Sequence, residues 1–186
     1  TGFWEGDGWL PGDQAVVFVD NHDIQRGHAF GDEVVNYKDG RRYDLAVAFM
    51  LAHPYGYPLV MSSYAFETDQ DGPPDVSPLE ASGCDRAWLC EHRRAVQVRM
   101  IEFRTATAGA ELVNWHITDD VVSFGRGEIG HIAINTGTSA VRVQVPTSLP
   151  PGRYYGLVNG ATVNVNDEGV ANIALEPLRF IAILAE

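Results

Sequence analysis

Two hydrophobic periods divide this chain. In roughly its first hundred positions, continuous apolar runs alternate with stretches of helical spacing. Ala15 to Val19 is apolar throughout and stops abruptly on Asp20, Asn21, His22 and Asp23. A strand buried on both faces reads this way when it ends at a functional surface. Tyr43 to His53 is a mostly apolar helix former, halted by Pro54. Tyr55-Gly56-Tyr57-Pro58 then turns the chain, and Leu59-Val60-Met61 starts a second buried strand. The stretch from Thr68 to Pro78, rich in Gly, Pro and Asp, reads as a long surface loop. Val96, Met100 and Phe103 recur at i, i+4 and i+7, which predicts an amphipathic helix over Glu91 to Phe103.

Beyond about residue 105 the period becomes two. Val141, Val143 and Val145 alternate with Arg142 and Gln144, and Val163 and Val165 alternate with Thr162 and Asn164. Asn159-Gly160 predicts a hairpin turn of the primed type. Asn135-Thr136-Gly137 and Asp167-Glu168-Gly169 punctuate other strand pairs, and Arg179 to Leu184 reads as a closing strand. The second part is therefore expected to be an antiparallel sandwich. The first part offers only two strand–helix units of the parallel βαβ kind, and two apolar strands cannot cover themselves.

Specific letters add to the pattern. Phe18-Val19-Asp20-Asn21-His22-Asp23, followed by Ile24-Gln25-Arg26-Gly27-His28, resembles the fourth signature region of the α-amylase family. The likeness continues in Ala52-His53-Pro54-Tyr55-Gly56, Val60-Met61-Ser62-Ser63-Tyr64, Cys84 to Arg93 and Phe124-Gly125-Arg126-Gly127. Five blocks in family order, from near residue 3 to the end, are similar to the animal-type subgroup of secreted α-amylases. The resemblance implies a multidomain architecture. Residues 1–104 would be the C-terminal part of a (β/α)8 TIM barrel, strands seven and eight with their helices, and residues 105–186 an antiparallel β-sandwich. The first six barrel units would lie upstream. A chain starting at Thr1, without a basic, apolar leader, reads as a piece of something longer.

Retaining glycoside hydrolysis needs two carboxyl groups about 5 Å apart. In the family these follow earlier strands, so the resemblance leaves the third carboxylate, Asp23, to this chain. Its implied role is to stabilise an oxocarbenium-like transition state. A helix N-cap is the competing reading of Asp23. His22 and His28 are implied substrate contacts, the latter on a loop that closes over sugar. Arg26 is expected to orient a neighbouring carboxylate. His53, His116 and His131 lie in apolar or strand segments and read as packed or surface histidines.

Many animal-type members bind chloride through the asparagine before His-Asp and a basic residue shortly before Val-Met-Ser-Ser. Asn21 fills the first position, but Leu59 stands at the second, so chloride activation is not expected. Calcium is implied for the parent enzyme, with ligands upstream and none assigned here. Cys84 and Cys90 read by themselves as two buried thiols or, less well given their spacing, as metal ligands. The matched block implies a disulfide between them, and with it an oxidising, extracellular location.

Against 25 Asp+Glu stand 13 Lys+Arg, a formal net charge of -12, which disfavours nucleic-acid partners. No apolar run is long enough to span a bilayer. The expected partners are an α-glucan substrate and the upstream part of the same enzyme. A different class of reading makes this a non-catalytic carbohydrate-binding fragment, with Trp115, Tyr154 and Tyr155 as a stacking platform. Burial of those rings in the sandwich would discriminate against it.

Overall fold

The computed structural model describes residues 8–28, 34–80, 84 and 87–185. Asp85, Arg86 and the chain before Gly8, parts of the matched region, lie outside them.

β1 (Val16–Val17) pairs in parallel with β2 (Tyr57–Pro58). Tyr57 and Leu59 donate their N–H groups to the Ala15 and Val17 carbonyls at 2.7 and 2.8 Å. Pro58, which has no N–H to give, falls on the position facing away from β1. Gly56 holds a positive φ of 74°, and a Cβ there would sit 2.6 Å from Val17 Cγ1, so this turn requires glycine.

The sequence places the second strand at Leu59-Val60-Met61, but pairing begins two residues earlier. Neither strand is buried on both faces: Val16 is 56% exposed and Tyr57 69%. Two strands can satisfy each other's backbone yet cover only one face. That covered face, through Val17, Val19 and Val60, packs on the helices.

The first helix, α1 (Arg41–Ala52), buries residues almost all round, including Tyr43, Val47, Ala48 and Leu51. The helix expected from Glu91 divides into a 3-10 turn, Glu91–Arg93, and α2 (Ala95–Ala106), with Arg94 extended between them. Glu91 is fully buried and its carboxylate accepts the Ser63 N–H at 2.8 Å, which anchors that turn sideways and keeps it out of the helix. The 104/105 boundary expected from the change of period falls inside α2.

Eight antiparallel strands follow. β3 (Leu112–Ile117), β4 (Val121–Arg126), β5 (Gly130–Asn135) and β10 (Arg179–Leu184) form one sheet, in the order β10-β5-β4-β3. β6 (Val141–Pro146), β7 (Gly152–Tyr155), β8 (Thr162–Val165) and β9 (Val170–Leu175) form the other, ordered β6-β9-β8-β7. The expected antiparallel sandwich is present, and the first sheet is its middle layer. Ile132, Ile134 and Phe180 face the helices, while Ala133, Ile181 and Ile183 face the second sheet. Burial on both faces explains why Ile132 to Ile134 in β5 and Phe180 to Leu184 in β10 are continuously apolar while β6, β8 and β9 alternate.

Asn159-Gly160 does not form a two-residue primed turn. Residues 156–161 make a longer loop, closed by the Gly156 N–H on the Ala161 carbonyl at 2.8 Å. Gly160 has a positive φ but Asn159 does not, because the Asn159 side chain is occupied as an acceptor for the Ala161 N–H.

Two arginines clamp the end of α1, Arg104 from α2 and Arg126 from the sandwich strand β4. The last four carbonyls of an α-helix have no partner within it. Arg104 Nη1 donates to the carbonyls of Met50, Leu51 and His53, at 3.4, 3.4 and 2.7 Å. Arg126 Nη1 takes the Ala52 carbonyl at 2.8 Å, and its Nη2 takes Thr107 and Ala110, both at 3.0 Å. Arg126 is 3% exposed. We expect Arg126→Met to cost about 3 kcal/mol, since three carbonyls at the junction lose their donor. Urea unfolding of the two chains measures this, and Arg126→Lys should recover less than half, lacking the planar fork.

Candidate active site

β1 delivers the chain to Asp20, whose side chain turns inward. It is 3% exposed and accepts from Gln25 Nε2 and from the Tyr43 hydroxyl, the latter at 3.2 Å. Burial holds this carboxyl above its ordinary pKa; the two hydrogen bonds oppose that shift and nearby Glu91 adds to it. Gln25 Nε2 also donates to Ser63 Oγ at 2.6 Å, and Ser63 N–H donates to Glu91. One buried polar chain therefore runs Tyr43–Asp20–Gln25–Ser63–Glu91. It ties the end of β1, α1, the segment after β2 and the turn before α2 to one another.

With Asp20 and Gln25 fixed below, the residues between them form a turn facing solvent. Asn21 Oδ1 accepts the N–H groups of Asp23 and Ile24, at 3.0 and 2.9 Å, and so starts the 3-10 turn Ile24–Arg26. Asp23 makes no capping bond with its side chain. The capping bonds thus come from Asn21, and among the described residues the Asp23 carboxylate is approached by His22 alone. Its side chain is 58% exposed, and that of His22 is 76% exposed with Nε2 3.6 Å from Asp23 Oδ1.

The loop after β2 closes one side of this surface. Arg26 donates to the carbonyls of Asp69 and Asp71, at 2.7 and 3.2 Å, and to the Tyr64 hydroxyl. Its guanidinium lies 4.4 Å over the Phe66 ring. Arg26 was expected to orient a carboxylate; it fastens a loop through backbone carbonyls instead. His28 Nε2 reaches Asp69 Oδ2 at 3.4 Å, so the same loop carries the partner of that histidine. Leu59, at the position where the resemblance places the basic partner of Asn21, is aliphatic and 51% exposed.

Comparison with known proteins bears directly on this arrangement. Residues 114–186 match the family described as alpha amylase, C-terminal all-beta domain. The chain is 39% identical to human alpha-amylase 1B over 98% of its own length, and 38% identical to human pancreatic alpha-amylase over the same share. It spans 42% of the length of each. The crystal structure of wild-type alpha-amylase I from Eisenia fetida superposes with a TM-score of 0.88 at 32% identity, covering 98% of this chain and 43% of that one. A mutant of that enzyme solved with maltohexaose matches equally well, over 99% of this chain and 44% of that one.

The chain is homologous to the animal α-amylases.

In this α-amylase homologue Cys84 and Cys90 form a disulfide, with Cα atoms 5.5 Å apart. Among the described residues no three His, Cys, Asp or Glu side chains assemble into a metal-binding group. Trp115 and Tyr155 are 40% and 57% exposed, so the rings are not buried in the sandwich, but they lie on different sheets. Trp115 lies on the first sheet, stacked on Phe124 with centroids 5.3 Å apart, whereas both tyrosines lie on β7 of the second. Tyr154 donates its hydroxyl to the Pro150 carbonyl at 2.6 Å.

Sequence reasoning missed Gln25, Ser63 and Glu91 as supports of the site. The one available signal was that all three sit inside matched blocks.

His131 is buried and its Nε2 pairs with Ser123 Oγ at 2.7 Å, while His53 stacks on Phe49. Burial pushes both imidazoles down to about 4, and for His53 the charges of Arg126 and Arg104 add to the effect. Both folded values lie below the ordinary 6.5, so the stability they contribute is complete above pH 6.5 and is lost as the pH falls toward 4. Each should account for on the order of 3 kcal/mol over that window. Urea unfolding at stepped pH tests this, and the His131→Gln chain should lose stability less steeply.

Proposed function

We propose that this chain is the C-terminal part of a secreted α-amylase that hydrolyses internal α-1,4 bonds of starch-like glucans with retention of configuration. The observation that carries this reading is the exposed Asp23 carboxylate, presented beside His22 past the C-terminal end of a parallel strand. Parallel-strand barrels place their chemistry at such ends. The maltohexaose bound to the Eisenia fetida relative supports a linear glucan as ligand.

In this reading Asp23 is a fixed anion beside the sugar ring on which positive charge develops. Such a group gains more in the transition state than in the ground state. The buried chain beneath it restrains the turn, so little reorganisation is required at that moment. His22 donates to a hydroxyl of the same ring, and His28, steadied by Asp69, contacts sugar from the side of the loop. The nucleophile and the acid/base come from an upstream part of the enzyme. That part would also cover Val16, Phe18, Tyr57 and Leu59, each more than two-fifths exposed here. The Cys84–Cys90 disulfide supports an oxidising, extracellular location.

Hydrolysis of a chromogenic maltooligosaccharide tests the proposal. The chain alone should be inactive, and mixing with the upstream segment of the same enzyme should produce activity. Asp23→Asn should lower that activity by about 10³-fold with little effect on assembly. Turnover by the chain alone would refute the division of labour.

The residues present do not fit a chloride ion, because Leu59 supplies no counter-charge beside Asn21. We therefore expect the assembled enzyme's rate to be the same in chloride and in a non-coordinating anion at equal ionic strength. Several-fold activation by chloride would contradict this.

A further inference from the structure

Away from the Asp23 surface, a cleft of about 380 Å³ opens where α1 ends and α2 ends. Pro54, Arg104, Ala108, Gly109, Ala110 and Arg126 line it. Two guanidinium groups thus share one recess in a chain whose net charge is -12. Among the described residues no carboxylate lies within ion-pair distance of either. Their partners are neutral carbonyls throughout: those at the end of α1, Gly56 for Arg104, and Thr107 and Ala110 for Arg126.

Carbonyl dipoles satisfy N–H groups but leave the charges uncancelled. Two like charges that share one recess raise each other's energy. Burial lowers the pKa of both arginines, that of Arg126 to about 10, with Arg104 contributing to the shift. Arg104 has not spent all its donors. Nη1 and Nη2 are engaged, whereas Nε–H has no acceptor among the described residues. The remaining walls are a proline ring and two alanine methyl groups, and Gly109 leaves open space where a side chain would stand.

We propose that this cleft binds a small oxyanion of the phosphate or sulfate type, held by Arg104 and Arg126. A polyatomic oxyanion can accept the unspent Arg104 Nε–H through one oxygen while its other oxygens face the Arg126 charge, whose Nε and both Nη groups already serve carbonyls; a single spherical halide spans the two less well. Occupancy would offset the paired positive charge and brace the junction of helices and sandwich. The cleft shares no lining residue with the glucan surface.

The test uses the 186-residue chain, with inorganic phosphate as probe and chloride at equal ionic strength as reference. Thermal unfolding should show a saturable rise of about 3 °C or more in phosphate over chloride, with matching heat of binding by titration calorimetry. Arg104→Met should abolish the response. Because that change also removes part of the α1 clamp, Ala108→Asp is the second variant: it places a carboxylate in the cleft and should fold normally while no longer responding to phosphate. Phosphate also stabilises proteins generally by exclusion from their surfaces. An equal rise in the parent and the Ala108→Asp chain would therefore be that general effect and would overturn the proposal, as would no rise at all.

Discussion

The C-terminal end of α1 is the point on which the arrangement depends. The carbonyls of Met50, Leu51, Ala52 and His53 point at the junction between the helical part and the sandwich. Arg104 of α2 takes the carbonyls of Met50, Leu51 and the capping residue His53, and Arg126 of β4 takes that of Ala52, so two separate elements are bound to one helix end. A positive charge at this end also complements the helix dipole. The cost is two cations held close together. That cost appears in the lowered pKa values of both arginines and of His53, which packs beside them.

The same logic, with the opposite charge, operates beneath the Asp23 turn. Asp20 and Glu91 are buried carboxylates, and each is held by donors instead of a matched cation. A chain of this kind is expensive to break, because removing one member leaves another polar group buried without a partner. Its consequence is mechanical. Asp20 points in and Gln25 points in, so the turn between them must point out, and Asn21 closes that turn with its own side chain. The exposure of His22 and Asp23 follows from what their neighbours are doing.

Layering explains where apolar surface is left over. In the sheet containing β5, strands β4, β5 and β10 are covered by helices on one side and by the second sheet on the other and expose little, whereas the edge strand β3 leaves Trp115 and Ile117 open. The pair β1–β2 has helices on one side only, and Val16, Phe18 and Tyr57 remain open. The contrast comes from the number of strands available, since both pieces have equally apolar sequences.

Much of this was legible in the chain itself. The change from helical to alternating period marked the helices and the sandwich, because side-chain direction repeats at 3.6 residues in one and at two in the other. The abrupt stop after Val19 marked the candidate site, and the ordered blocks carried the family resemblance and the cysteine pairing. Other features depended on partners far away in sequence. Whether Asp23 or Asn21 caps the turn was settled by local competition for two N–H groups. Glu91 left the helix because Ser63 claimed its carboxylate, and Arg26 turned to carbonyls because Asp69 and Asp71 were folded over it. Periodicity describes what each residue prefers to face, whereas hydrogen bonds across dozens of residues decide which preference is met.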